Sequence, residues 1–209
     1  MIPNRDRRSA SGFVRSAIDV KRWRHSPPSV DDVRPTHCPC CDAASRPVGG
    51  PLVLRGHGLR PRGLRGPPDA DPTTPPVDAE VVARRYRCRA CHAVVMVVPR
   101  EVLPRRQYTA SAIGLALALF ALLGVSAARV RTRISTWSIV GPTAAVGWTT
   151  LRRWIDAVRR GDLFPFLLRP PDAWTPLKVA ESTALRLMDF APAEGTRAFR
   201  AFAGATLAR

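Results

Sequence analysis

Arg84-Arg85-Tyr86-Arg87-Cys88-Arg89-Ala90-Cys91-His92-Ala93-Val94-Val95-Met96-Val97-Val98 is the stretch that decides how this chain folds. A CxxC turn sets two sulfurs side by side, and the β-branched run behind it reads as a strand leaving the turn. A second pair lies upstream in Thr36-His37-Cys38-Pro39-Cys40-Cys41-Asp42, where Pro39 stiffens the loop between the thiols. A strand entering and a strand leaving each turn makes a hairpin, and two such hairpins facing each other make a zinc ribbon. Cys38, Cys41, Cys88 and Cys91 are therefore the predicted metal ligands. Ligand type and spacing favour zinc, with rubredoxin-like iron as the alternative.

Other uses of paired cysteines fit less well. Disulfides require an oxidising compartment, yet residues 1–30 show no uninterrupted apolar segment and no small-residue cleavage site. The thiols are accordingly expected to be reduced and the chain cytoplasmic. A thioredoxin-type redox pair would sit beside a βαβ pattern, which is not found. The interval between the pairs exceeds the roughly fifteen to twenty residues of the usual short spacing. Leu52-Val53-Leu54 reads as the outgoing strand of the first hairpin, and the Pro-rich residues 67–76 read as a loop inserted at a hairpin tip. Cys40 reads as a bystander, while His37 and His92 are each placed to substitute for a neighbouring thiolate.

The net charge of +17 suits a polyanionic partner, and nearly all the positive charge is arginine because only Lys21 and Lys178 are lysines. Arg84, Arg85, Arg87 and Arg89 surround the second knuckle; Arg100, Arg105 and Arg106 follow; then come Arg129, Arg131 and Arg133, and Arg152, Arg153, Arg159 and Arg160. Any one cluster is ordinarily a solvated surface, but four with few intervening acids point to phosphates.

Residues 109–123 are apolar on almost every side, which predicts a helix buried all round, ended by Gly124. Its continuous apolar part is shorter than the roughly 20 residues a bilayer requires, and arginines flank both ends, so no membrane span is expected. Residues 126–134 predict a short helix with Val130 and Ile134 inward. In residues 148–160, Trp148, Leu151, Trp154, Ile155 and Val158 form one apolar stripe, while Thr149, Arg153, Asp156 and Arg160 gather on another face with Arg152 and Arg159 at its margin. A helix anchored by tryptophans and presenting Thr and Arg outward suits a major groove. The connection before it, with a turn at Gly141-Pro142, is longer than that of a tight helix-turn-helix. Thr175-Pro176 predicts the start of a further helix, and residues 194–209 a last one whose Phe199, Phe202 and Leu207 close the core or meet a partner.

The order His37-Cys38-Pro39-x-Cys41, Arg84-Arg85-Tyr86-Arg87-Cys88-Arg89-x-Cys91, Val102-Leu103-Pro104-x-Arg106-x-Tyr108 and Thr150-Leu151-Arg152-Arg153-Trp154 carries a resemblance. Over residues 36–161 the chain resembles the zinc-ribbon plus helix-turn-helix region of bacterial insertion-sequence transposases. It is also similar to stand-alone transposon-associated proteins of the same layout. The resemblance implies zinc on Cys38, Cys41, Cys88 and Cys91 and binding at element ends or regulatory sites. Transposases of that kind also carry three carboxylates that hold two divalent ions, and the stretch after Arg160 is too short for such a domain.

The expected architecture is α+β. Residues 1–33 read as a basic, disordered arm and 34–103 as a zinc ribbon with a Pro/Gly-rich insertion; 104–161 read as an all-α helix-turn-helix-like unit and 162–209 as a short helical tail. With no P-loop, GxSxG or HExxH, the chain is not expected to be an enzyme. The expected function is zinc-dependent duplex DNA binding through Thr149, Arg152, Arg153, Arg160, Arg129, Arg131, Arg133, Arg105 and Arg106, with a homo-oligomer or a transposase as possible protein partner. An RNA-binding ribbon, a protein-interaction adaptor, or a truncated enzyme whose partner chain supplies carboxylates are the rival expectations.

Overall fold

The β-branched run behind the second cysteine pair forms β4 (Val94–Val98), and the residues before the pair end β3 (Val77–Cys88). The two strands pair antiparallel, with Tyr86 opposite Val95 and Arg87 opposite Val94. These elements are seen in a computed structural model that describes residues 12–71, 74–137 and 148–208. With β1 (Phe13–Arg15) and β2 (Leu54–Gly66) they form a four-stranded sheet in the order β1-β4-β3-β2. The fold is mixed α+β, with six helices among the described residues. The chain divides into two compact units: Met1–Gly63 with Glu80–Arg105, and Leu64–Ala79 with Arg106–Arg209.

In the first unit the register of β3 and β4 sets Tyr86, Val95 and Val97 on one buried face, away from exposed Arg87 and Val94, and nearer the start of β3 the residues of the other parity, Val81 and Ala83, are buried too. Residues 12–33 are structured, which corrects the expectation of a loose arm for that stretch. β1 pairs parallel with β4, Phe13 opposite Met96, and α1 (Val20–His25) starts at Asp19, whose side chain accepts the Arg22 N–H. The physical reason is Trp23, which is fully buried and donates its indole N–H to the Val82 carbonyl at 2.9 Å. Such an indole contributes a few kcal/mol of apolar burial with its polar atom satisfied, enough to hold one short helix against the sheet. The Tyr86 hydroxyl donates to the Val30 carbonyl at 2.7 Å, and Arg84 to that of Pro28 at 2.8 Å, so the following loop is tied down too. Residues 1–11 of the expected arm lie outside the described residues.

Glu101 closes the start of α1, its carboxylate accepting the Val20 N–H at 3.0 Å. Burial pushes this carboxyl up to about 7, against the opposing pull of its own N–H and that of Val20; Asp19 adds to the rise and Arg100 opposes it. A carboxyl whose folded pKa exceeds its unfolded one favours the folded state below the unfolded value, 4.5, and that advantage is lost as pH rises through about 7. Glu101→Gln keeps the acceptor without the charge. Melts at two pH values are expected to show it more stable than the parent at pH 8, by on the order of 2 kcal/mol, and nearly equal at pH 5.

The second unit is built on α2 (Ala110–Ala121), whose residues from Ala110 to Ala118 are all buried, as its unbroken apolarity predicts. Thr109 caps its start by accepting the Ala112 N–H. At its end, the Leu123 and Val125 N–H groups reach back to the Ala118 and Leu119 carbonyls as Gly124 turns with φ +64. α3 (Ala127–Ile134) buries Val130 and Ile134, and α4 (Thr149–Arg159) buries Leu151, Trp154, Ile155 and Val158. α5 (Pro176–Met188) begins as expected, with Thr175 as cap and Pro176 in the first turn. α6 (Arg197–Leu207) completes the set.

All four of these helices pack on α2, so residues 162–209 belong to the core of this unit and are not an appended tail. The buried face of α6 is also not the aromatic one. Ala198, Ala201, Gly204 and Ala205 face inward, while Phe199 and Leu207 stay 44% and 43% exposed. The backbones are too close for larger residues: a Cβ on Gly114 of α2 would lie 2.6 Å from the Ala201 carbonyl oxygen. No helix among the described residues is long and apolar enough to cross a membrane. Residues 138–147, including the expected Gly141-Pro142 turn, lie outside the described residues.

Candidate metal centre and basic helix faces

The two cysteine turns are built alike. The Asp42 N–H donates to the Cys38 carbonyl at 2.8 Å and the Cys38 N–H to that of Ala43 at 2.9 Å; in the other turn the His92 N–H donates to Cys88 and the Cys88 N–H to Ala93, both at 3.0 Å. His37 pairs antiparallel with Ala44 as Arg87 does with Val94, at the same offsets from the cysteines. The residue after each second cysteine has positive φ, +60 at Asp42 and +61 at His92, in the left-handed region that Asp and His enter more readily than most residues. This settles what His92 does in the backbone: it turns the knuckle. The knuckles are joined through main chain, since the Arg89 N–H donates to the Val53 carbonyl at 3.0 Å and the Val53 N–H to that of Ser45 at 2.9 Å.

These turns bring Cys38, Cys41, Cys88 and Cys91 together, with all four sulfurs within 4.8 Å of one another. The Cys38 and Cys91 sulfurs are 3.8 Å apart and those of Cys41 and Cys88 3.7 Å. Four sulfurs about 2.3 Å from a central ion at tetrahedral angles stand about 3.8 Å apart, so the set fits a tetrahedral thiolate-bound metal. Cys38 and Cys88 are buried, and Cys41 and Cys91 face solvent. Among the described residues, neither Cys40, His37 nor His92 belongs to the group.

The electrostatics match this donor set. Burial pushes the Cys41 thiol up to about 12 and moves Cys91 the same way, so these two thiols resist ionisation without a cation beside them. Cys88 goes the other way: burial opposes ionisation there, but the N–H groups of Cys91 and Ala90 outweigh it and hold its pKa below the usual thiol value. A dication among the sulfurs stabilises the remaining thiolates.

The predicted DNA contacts fall on separate elements. On α4, Thr149, Arg152 and Arg153 are exposed opposite the buried Leu151, Trp154, Ile155 and Val158 stripe. Trp148 caps the helix and packs edge-on to Trp154 with ring centres 5.4 Å apart. Arg160 follows the helix and pairs with Asp162 at 2.8 Å, while Arg159 is turned inward to the Trp174 carbonyl at 2.6 Å. On α3, Arg129 and Arg133 are exposed and Arg131 is half-buried. Arg105 is exposed, whereas Arg106 is half-buried and desolvation lowers its pKa.

β2 starts at Leu54, where the expected strand Leu52-Val53-Leu54 ends, and runs on to expose Arg55, His57 and Arg60, which sequence reasoning did not single out. Its glycines and Pro61 disfavour a central strand, yet an edge strand accepts them, and β2 is the edge of the sheet. Comparison of the chain with family models, with curated proteins and with solved structures finds no match.

Proposed function

We propose that this chain binds duplex DNA, with zinc on Cys38, Cys41, Cys88 and Cys91 holding the ribbon together and α4 reading base edges. The four thiolates close a tetrahedral coordination sphere, which suits a structural ion without an open position; the same set would also hold a rubredoxin-like iron, and metal content of the purified protein distinguishes the two. The observation that carries the DNA reading is the two-sided α4: tryptophan and aliphatic residues fasten one face while Thr149, Arg152 and Arg153 stand in solvent on the other. In this reading Arg152, Arg153 and Thr149 meet the major groove, and Arg129, Arg131, Arg133, Arg105, Arg106 and Arg160 meet phosphates. Following the resemblance to transposase N-terminal regions, the target is an element end or regulatory site, and the chain has no catalytic role of its own.

The test compares two variants across a panel of duplexes and salt concentrations. Arg129→Ala is expected to weaken every sequence alike and to reduce the slope of log affinity against log salt by about 0.9. Arg153→Ala is expected to cost about 1–3 kcal/mol on the preferred duplex and little elsewhere. Equal losses from both variants on every sequence would remove the recognition-helix assignment. Tighter binding to single-stranded RNA than to duplex DNA would move the reading to an RNA-binding ribbon, and indifference to all nucleic acids would move it to a protein adaptor.

A further inference from the structure

Within the helical unit a cavity of about 320 Å³ opens beside the C-terminal half of α2, and the DNA reading has no use for it. Leu115 and Leu119 of α2 and Leu123 just past its end form one wall, and Pro67 and Ala198 add apolar surface. Its volume lies in the range of small-molecule sites, with room for on the order of ten to fifteen non-hydrogen atoms.

The polar groups are confined to a few positions and are mostly cationic or donors. Arg197 and Arg133 line the cavity with one opposing carboxylate, Asp71. The first turn of α6 also reaches it through Thr196, Arg197 and Ala198. Thr196 caps the Phe199 N–H at 3.1 Å, which leaves the first-turn N–H groups of Arg197 and Ala198 to meet another acceptor. An aliphatic wall with an arginine and a helix start in the same lining matches a short hydrocarbon carrying a single carboxylate.

We propose that this cavity binds a small apolar carboxylic acid, its chain along Leu115, Leu119 and Leu123 and its carboxylate at Arg197 and the start of α6. Arg133 belongs to α3, so if the DNA reading also holds, occupancy bears on one of its phosphate-contacting helices; the binding itself does not depend on that reading.

The test uses the full, zinc-loaded chain without DNA, so its outcome is separable from that of the DNA experiments. Octanoate and octanol are titrated by calorimetry against the parent, Leu119→Trp and Arg197→Gln, with circular dichroism confirming the helices. The parent is expected to bind one octanoate saturably and octanol roughly ten-fold more weakly. Leu119→Trp, which fills the cavity, should abolish both. Arg197→Gln, on an exposed side chain that folding does not require, should reduce octanoate binding to the level of octanol and leave octanol unchanged. No saturable binding to the parent, equal affinity for acid and alcohol, or octanoate binding that survives Arg197→Gln unchanged would each overturn the proposal.

Discussion

Cys88→Ser is expected to abolish metal binding and unfold the ribbon while helices α2 to α6 keep their structure. Cys88 is one of the two buried sulfurs, and its neighbour Cys41 lies 3.7 Å away, so the change removes a ligand from the interior of the set. Structural zinc contributes on the order of 10 kcal/mol, comparable to the whole stability of a unit this size. What a metal on the four cysteines would hold is mostly backbone: two tight turns with Asp42 and His92 at positive φ, joined by hydrogen bonds at Val53. Trp23, Tyr86 and the β4 valines supply the apolar remainder. Metal content by mass spectrometry and hydrogen exchange read along the chain check this. Full zinc stoichiometry with protected amides in residues 36–53 and 84–98 would show the ligand assignment to be wrong.

Gly204→Val is expected to disrupt the helical unit and leave the metal centre intact. A Cβ at this position would sit 1.8 Å from the Leu187 carbonyl oxygen and 2.7 Å from its carbon, so it meets backbone, which cannot rotate aside. Relief requires α6 to lift from α5, which uncovers Ala201 and Ala205, both fully buried. Overpacking of this kind costs about 3 kcal/mol or more, whereas Phe199→Ala on the exposed face of the same helix should change stability by about 1 kcal/mol at most. Urea unfolding followed at the helical signal separates the two. Equal stability of Gly204→Val and the parent would mean that α6 does not pack as described.

The four-cysteine cluster and most helices were legible because each rests on short-range chemistry. The CxxC spacing, the Val94-to-Val98 run, the Trp and Leu stripe of α4 and the Thr175-Pro176 start all act within a few residues. What escaped depends on partners distant in sequence. β1 is three residues long and has no pattern of its own; it exists because β4 offers a parallel edge. α1 is held through Trp23 to Val82, far along the chain. β2 carries glycines and a proline that disfavour a central strand, and only its place at the sheet edge admits them. On α6, hydrophobicity singles out Phe199 and Leu207, but the packing distance to Gly114 decides, and it selects alanine and glycine. The all-round burial of α2 already implied more covering helices than α3 and α4. α5 and α6 are those helices, which is why the last stretch belongs to the core.

Duplex recognition by the zinc-loaded protein is put to the test by selecting bound duplexes from a random-sequence pool at near-physiological salt. Enrichment of one defined motif is expected, lost on metal removal and blurred by Arg153→Ala. A pool that stays unenriched, with binding that merely tracks salt, would contradict it and leave only the non-specific attraction of a chain carrying a net charge of +17.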